Sequence, residues 1–241
     1  MKILQKLAAK QKDVFSDNAA TIVVFGDSNT QGCFECFINE EGVIDTVFET
    51  EQSYGAKVKH ILQVLYPKAQ INLINSGISG DNATNGLKRV ESSVLAYKPD
   101  LVILSFGTND AGGGLDGLEE YKKSIDGIFA KLQGQGCDVI FLSSVLKNTY
   151  VSGKLTDPTL RSIAERQVTL VEQDMDGIYF NEAKKLCEKY GFFFCDCHAK
   201  WKKMQANGVD TTGLLANHLN HPIRELHWLF ATSLVEMIFE N

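Results

Sequence analysis

The chain has 241 residues, 44% hydrophobic and 22% charged, with a formal charge of −6. This is ordinary globular composition, with enough apolar residues for one sizeable core. The acidic balance and the lack of any basic cluster argue against unaided binding to nucleic acid or to an anionic membrane, and no apolar run approaches the length of a membrane span.

Met1–Asp13 is Lys-rich and amphipathic, without the continuous apolar core of a secretory leader. The six cysteines (33, 36, 137, 187, 195 and 197) are therefore expected as reduced thiols in a cytoplasmic protein. Ile3–Phe15 reads as a short helix packed outside the sheet. Thr21–Phe25, an apolar run stopped by Gly26-Asp27-Ser28-Asn29, reads as a buried strand ending in a tight turn, with Ser28 at its carboxyl edge. Cys33–Thr50 is mixed in character, with a turn at Glu40-Glu41-Gly42, and is expected as an excursion over the surface. Ser53 can cap a helix that runs through Leu65 and stops before Pro67.

Ile71–Ile74 is the second expected strand, followed by a polar turn through Gly80 and a helix over roughly 83–96. Leu101–Phe106, continuously apolar, is a central strand ending in Gly107-Thr108-Asn109-Asp110. A helix is expected over Leu118–Leu132, a fourth strand over Val139–Leu142 and a polar loop over Lys147–Asp157. Pro158 suits a first helical position. Leu160–Tyr190 reads as helical, broken near Asp176-Gly177, and Phe192–Cys195 as the fifth strand. A short helix holds Trp201–Met204, a loop spans Asn207–Asn220, and Pro222–Phe239 is the last helix. Strands alternating with helices predict a parallel sheet covered on both faces. The expected architecture is a single α/β/α domain over residues 1–241, its core at about 20–240.

Three strand ends carry polar residues that suit acyl chemistry: Ser28, Gly80 and Asn109. A serine becomes a nucleophile when a base reaches it, and the tetrahedral oxyanion needs preorganised donors, one of which can contribute about 3 kcal/mol. The N–H groups of Ser28 and Gly80 and the Asn109 side-chain amide are donors of the right kind. The residue before Pro222 is His221, held extended by the proline and so able to project from the loop edge.

Gly26-Asp27-Ser28-Asn29, Gly80 within Ile78-Ser79-Gly80-Asp81, Gly107-Thr108-Asn109-Asp110 and His221-Pro222 together resemble the four ordered blocks of the SGNH hydrolase (GDSL esterase/lipase) superfamily. The resemblance spans about Thr21 to Phe239. It implies Ser28 as nucleophile and His221 as general base, with Ser28, Gly80 and Asn109 as the oxyanion hole. It also implies a flavodoxin-like five-stranded parallel sheet of order 2-1-3-4-5, an ester or thioester substrate, and neither metal nor organic cofactor.

The family usually places an aspartate three residues before the histidine; here that position is His218. The third member of such a triad orients and supports the imidazolium. Three alternatives follow: a main-chain carbonyl of residue 218 or a neighbour, a carboxylate from Asp210 or Asp196, or weak catalysis. Other features read as structural. Gly112–Gly117 matches G-x-G-x-x-G but lacks the acidic residue a dinucleotide site needs, and reads as a loop beside the site. Cys33-Phe34-Glu35-Cys36 lacks a redox context. Cys195-Asp196-Cys197-His198 lacks a clear second ligand pair for zinc. His227 reads as a packed histidine, His60 as solvated, and Trp201 and Trp228 as core anchors.

Three functions compete on these residues. The first is a serine esterase acting on small acyl esters, with the acetyl group of a carbohydrate expected ahead of lysophospholipase or thioesterase chemistry, given the polar Glu35, Asn39, Asn82, Asn85 and Asn148 and the lack of an apolar lid segment. The others are a non-catalytic ligand-binding protein on the same fold and a phosphate or nucleotide binder, the last lacking a G-x-x-x-x-G-K-[ST] run.

Overall fold

The computed structural model describes residues 1–16 and 18–241. In chain order, helix α1 (Lys2–Lys12) leads to β1 (Ala20–Gly26), the one-turn helix α2 (Ser28–Gln31), a hairpin of β2 (Cys33–Ile38) and β3 (Ile44–Phe48), and α3 (Tyr54–Leu65). Then come β4 (Ile71–Gly77), α4 (Ala83–Ser93), β5 (Leu101–Ser105), α5 (Leu118–Leu132) and β6 (Asp138–Leu142). The chain ends with α6 (Pro158–Glu172), α7 (Met175–Tyr190), β7 (Phe193–Cys195), α8 (Cys197–Ala206) and α9 (His227–Glu240).

The main sheet has five strands in the order β4-β1-β5-β6-β7, all parallel. Counted along the sheet strands alone this is 2-1-3-4-5, the expected flavodoxin-like order. Alternation along the strands builds two cores. Ile22, Val24, Leu101, Ile103, Ile140 and Leu142 face α1, α3, α8 and α9, around Leu7, Val58, Trp201 and Phe230. Val23, Phe25, Val102, Leu104, Val139 and Phe141 face α4, α5 and α7, around Val90, Ile125, Phe129 and Phe180. Both faces are thus covered, as near-continuous apolar runs in a parallel sheet require. No helix among the described residues is long and apolar enough to cross a membrane.

Register positions the candidate site. Gly26 at the end of β1 lies opposite Gly77 at the end of β4 and Ser105 at the end of β5. Three neighbouring strands stop at one level, so the turns that follow them share one edge of the sheet, where ligands of open α/β sheets bind. Helix α2 rests directly on these strand ends. A Cβ on Gly77 would stand 2.3 Å from the Gln31 nitrogen, so glycine is needed there for close approach.

Several expectations need correction. Residues 33–50 do leave the main sheet, but as an antiparallel hairpin whose two strands were not expected, with Cys33 and Phe34 buried at its base. The last helix does not open at Pro222. Leu215 and Pro222 form an antiparallel bridge, flanked by Ala216 N–H donating to the His221 carbonyl and Ile223 N–H to the Leu214 carbonyl. Proline has no N–H to lose at that bridge, and α9 begins only at His227, after a 3₁₀ turn over Arg224–Leu226. The break in the long helical stretch falls at Asp174, in the left-handed region at φ 50°, rather than at Asp176-Gly177. Trp228 is 41% exposed on α9 and packs against Lys57 and His60, while Trp201 is fully buried.

Candidate active site

Asp27 ends the extended run of β1 and caps α2, its carboxylate accepting the Asn29 N–H at 3.0 Å. Ser28 is therefore the first residue of a helical turn, 3% exposed, with its hydroxyl held where β1 hands over to that turn. Burial pushes the Asp27 carboxyl up to about 7, with Asp110 and Asp81 nearby adding to the effect.

His221 Nε2 lies 2.9 Å from Ser28 Oγ. On its other side His221 Nδ1 lies 2.8 Å from the main-chain carbonyl of Phe34. A carbonyl only accepts, so Nδ1 carries the proton and Nε2 turns its lone pair to the serine. Burial holds the imidazole down to about 4, so it is neutral near pH 7. The Phe34 carbonyl and the charge of Glu35 pull in the opposite direction.

The acceptor is thus a main-chain carbonyl, but not that of residue 218 or its neighbours. It comes from the hairpin, 187 positions away in sequence. Its availability follows from an irregularity in β2. Cys33 pairs with Phe48 and Cys36 with Thr46, so Phe34 and Glu35 together oppose Val47. Such a bulge takes carbonyls out of the ladder and bends the strand, leaving the Phe34 oxygen to face the imidazole.

His218 itself stands in the left-handed region at φ 55°, its Nδ1 3.5 Å from the Thr212 carbonyl. Asp210 accepts from the Tyr150 hydroxyl and the Gly213 N–H, each at 3.0 Å. Asp196 accepts from the Ser143 hydroxyl at 3.1 Å and caps α8 through the Ala199 N–H. Both carboxylates are engaged by these partners, and neither is the acceptor of His221 Nδ1. Asp210→Asn and Asp196→Asn are expected to keep turnover of an activated ester within about threefold of the parent; a loss of about 100-fold in either would return a carboxylate to the site.

The loop that delivers His221 is folded around Asn217. The buried Asn217 Oδ1 accepts three successive N–H groups, from Leu219 (3.0 Å), Asn220 (2.9 Å) and His221 (2.9 Å). Asn29, beside the serine, donates to the Ser144 hydroxyl and the Asn220 carbonyl, tying the serine turn to the histidine loop. Neither asparagine is evident as a site residue from the sequence, although Asn217 beginning Asn-His-Leu-Asn-His is the kind of residue that nucleates such turns.

Gly80 follows β4 with φ +77°, and open space lies where a side chain would project. Asn109 follows β5, and its side-chain amide donates to the Asp81 carbonyl at 2.8 Å. The amide carries two hydrogens, so this bond fixes Asn109 against the Gly80 turn and leaves one to give. Asp110 braces the same region, accepting from Ala83 N–H and Gly107 N–H at 3.0 Å each. The structure therefore brings Ser28 and His221 into contact, and places Gly80 and Asn109 on the adjoining turns of the same edge. Beside Asn109 a recess of about 140 Å³ is lined by Gly112, Lys147, Ile163, Arg166, Gln167 and Leu170, among others.

The remaining motifs are accounted for locally. Gly112 lines the recess, and Tyr179 donates to the Gly114 carbonyl at 2.6 Å. The six cysteines are free thiols. His198 Nδ1 faces the Val145 carbonyl at 3.1 Å, and His227 is buried, its Nδ1 accepting the Tyr54 N–H at 3.0 Å. No cluster of three or more His, Cys, Asp or Glu side chains suited to a metal ion occurs among the described residues.

Comparison with known proteins places these residues in context. Residues 24–229 match the family described as GDSL-like Lipase/Acylhydrolase. An acetylxylan esterase of Geobacillus stearothermophilus is 27% identical over 149 residues, covering 55% of this chain and 66% of that protein, just under two thirds of its length. Among solved structures, an α/β hydrolase enzyme, LAE5, from the metagenome of Lake Arreo, Spain, superposes with a TM-score of 0.65 at 20% identity, over 91% of this chain and 95% of that one. A two-domain esterase active on acetylated mannans gives 0.66 at 20% identity, over 99% of this chain and 52% of that one. Axe2, an acetylxylan esterase from Geobacillus stearothermophilus, gives 0.64 at 22% identity, over 90% and 93%. At these identities the structures speak for the fold.

Proposed function

The chain belongs to the GDSL-like lipase/acylhydrolase family, and from that premise we propose that it is a carboxylic ester hydrolase. It removes small acyl groups, acetyl foremost, from a carbohydrate through an acyl-enzyme on Ser28. The observation that carries this reading is the 2.9 Å contact between His221 Nε2 and Ser28 Oγ, with the Nδ1 proton pinned on the far side.

In the reaction so assigned, neutral His221 takes the Ser28 proton as Oγ attacks the ester carbonyl. The oxyanion is met by the N–H groups of Ser28 and Gly80 and the free amide hydrogen of Asn109. The imidazolium returns its proton to the leaving alcohol, and water then repeats the sequence on the acyl-enzyme. The Phe34 carbonyl performs the orienting half of the missing aspartate's task, fixing the tautomer. As a neutral acceptor it supports the imidazolium less than a carboxylate would, because charge-assisted hydrogen bonds are roughly twice as strong.

Substrate class rests on the recess and on the relatives. The recess of about 140 Å³ adjoins Asn109, the proposed oxyanion donor, and lies below the roughly 300–1,000 Å³ of sites for larger ligands, which is consistent with a short acyl group. The carbohydrate is supported by relatives that act on acetylated xylan and mannan. It is not supported by the polar residues that suggested it in sequence. Glu35 is paired with Arg224, Asn39 holds the hairpin turn, Asn82 caps α4, and Asn148 is buried against the Tyr150 and Ala164 carbonyls.

Hydrolysis of p-nitrophenyl acetate, butyrate and octanoate tests the assignment. Acetate is expected to be turned over fastest, and octanoate at less than about a tenth of its rate; the reverse ranking would move the protein to long-chain acyl substrates. The pH dependence tests the base. His221 is held below its ordinary value, so it stays unprotonated as pH falls through 6.5. The acid limb of kcat/KM is expected near pH 4–5, and a limb at 6.5 or above would mean a base in a solvated setting.

A further inference from the structure

The Phe34 carbonyl can orient the base only if its own position is fixed, and ordinary strand pairing does not fix it. Phe34 and Glu35 form the bulge of β2, and the β2–β3 hairpin is not hydrogen-bonded into the main sheet. An isolated two-stranded hairpin is marginal by itself. Three neutral contacts hold the bulge in part: Thr46 Oγ1 donates to the Glu35 carbonyl at 2.9 Å, the Phe34 side chain is buried, and Asn217 Nδ2 of the histidine loop donates to Cys36 Sγ at 3.4 Å.

Arg224 adds a charged link from the bulge to the segment that carries His221. It lies three residues after His221, in the 3₁₀ turn that follows the Leu215–Pro222 bridge. Its Nη1 and Nη2 donate to the two carboxylate oxygens of Glu35 at 2.7 and 3.0 Å. Its Nε and Nη2 donate to the two oxygens of Glu49, just after β3, at 2.8 and 2.5 Å. The guanidinium carbon lies 4.3 Å from the centre of the Phe34 ring. One planar cation thus grips the bulge residue and the end of the partner strand while it covers the side chain whose carbonyl meets the base.

We propose that Arg224 is a positioning residue for the base: by clasping Glu35 and Glu49 it holds the Phe34 carbonyl against His221 Nδ1. The proposal rests on the reading of Ser28 and His221 given above. The contacts close a ring, from His221 to the Phe34 carbonyl, through the peptide to Glu35, across to Arg224, and back along Ile223 and Pro222 to His221. Partly exposed ion pairs contribute little to stability one at a time. A preorganised fork on two carboxylates instead contributes geometry, which lysine cannot reproduce.

The test is a set of variants on p-nitrophenyl acetate, with wild type and Ser28→Ala as references. Arg224→Met keeps the stem and removes the fork. It is expected to lower kcat by about 10–100-fold, as displacements near 1 Å in an active site can, with KM within about twofold. Labelling of Ser28 by a fluorophosphonate should slow by the same factor. Arg224→Lys should recover only part of the loss. In nitrogen-labelled-histidine NMR spectra, the His221 Nδ1–H signal should be sharp in the wild type and broadened by solvent exchange in Arg224→Met at a temperature where both are folded. Should Arg224→Met fail to fold, the isosteric Glu35→Gln, Glu49→Gln double variant is expected to lower kcat with KM unchanged. Full kcat in a folded variant, a loss confined to KM, or an unchanged Nδ1–H signal overturns the clasp. Wild-type turnover no greater than that of Ser28→Ala would end the reading of the site itself, whereas turnover that needs Ser28 and ignores Arg224 ends only the clasp.

Discussion

Ser28→Ala is expected to lower kcat for p-nitrophenyl acetate by about four orders of magnitude or more while the protein melts within a few degrees of the parent. The kinetic effect is large because Oγ is the atom on which the acyl group would reside. On the proposed mechanism neither His221 nor the proposed oxyanion donors can substitute for it, and only the residual assistance of those groups and of binding would remain. The effect on stability is small because one buried hydrogen bond, from Oγ to His221 Nε2, is lost, worth about 1 kcal/mol. Steady-state assays near pH 8 beside circular-dichroism melts check both halves. A folded Ser28→Ala protein with parental turnover would remove the acyl-enzyme from the mechanism.

The second large effect lies beneath the site. The Lys147 ammonium donates to Asp176 Oδ1 at 2.7 Å and to the Thr108 carbonyl at 2.8 Å, and the two charged side chains are 3% and 5% exposed. Removing the cation as Lys147→Met strands a buried carboxylate, which costs about 3–5 kcal/mol. For a chain of this size that is a fall in Tm of about 6–20 °C. A buried ion pair does little better than well-packed apolar groups, so the double variant Lys147→Met, Asp176→Leu should recover most of the loss. The single variant is also expected to lose turnover while still folded, because Thr108 precedes Asn109 and its carbonyl is one of the groups that fix that turn. A single variant as stable as the parent would show that Asp176 is not left as a stranded buried charge.

The parts of this molecule legible in its sequence are those whose signal is local. β1 and β5 are short apolar runs bounded by turn formers, and the residues after them follow from where the runs stop. Gly80 and Asn109 could be named because each follows an expected strand end, offers a donor of the right kind and falls in a block that resembles the family's. The hairpin was opaque because Phe37, Ile44 and Phe48 are exposed apolar residues that blur the alternation of a half-buried strand. The start of α9 was misplaced because proline favours a first helical turn, and here a tertiary bridge to Leu215 took precedence. Which residue supplies the partner of His221 Nδ1 had no signal at all. The sequence offered a main-chain carbonyl at residue 218 or a neighbour, Asp210 or Asp196; the acceptor is a main-chain carbonyl, but one from a residue near the other end of the chain.

That partner has a genetic consequence. A triad aspartate can be erased by one codon change, and its loss shows in any scan of single substitutions. The Phe34 carbonyl belongs to the polypeptide rather than to a side chain, so every amino acid at position 34 supplies the same acceptor. Mutation can move it but cannot delete it. Substitution profiling would therefore find the Ser28 and His221 columns intolerant and no acidic column beside them, and sensitivity would surface instead in the residues that keep the bulge in place.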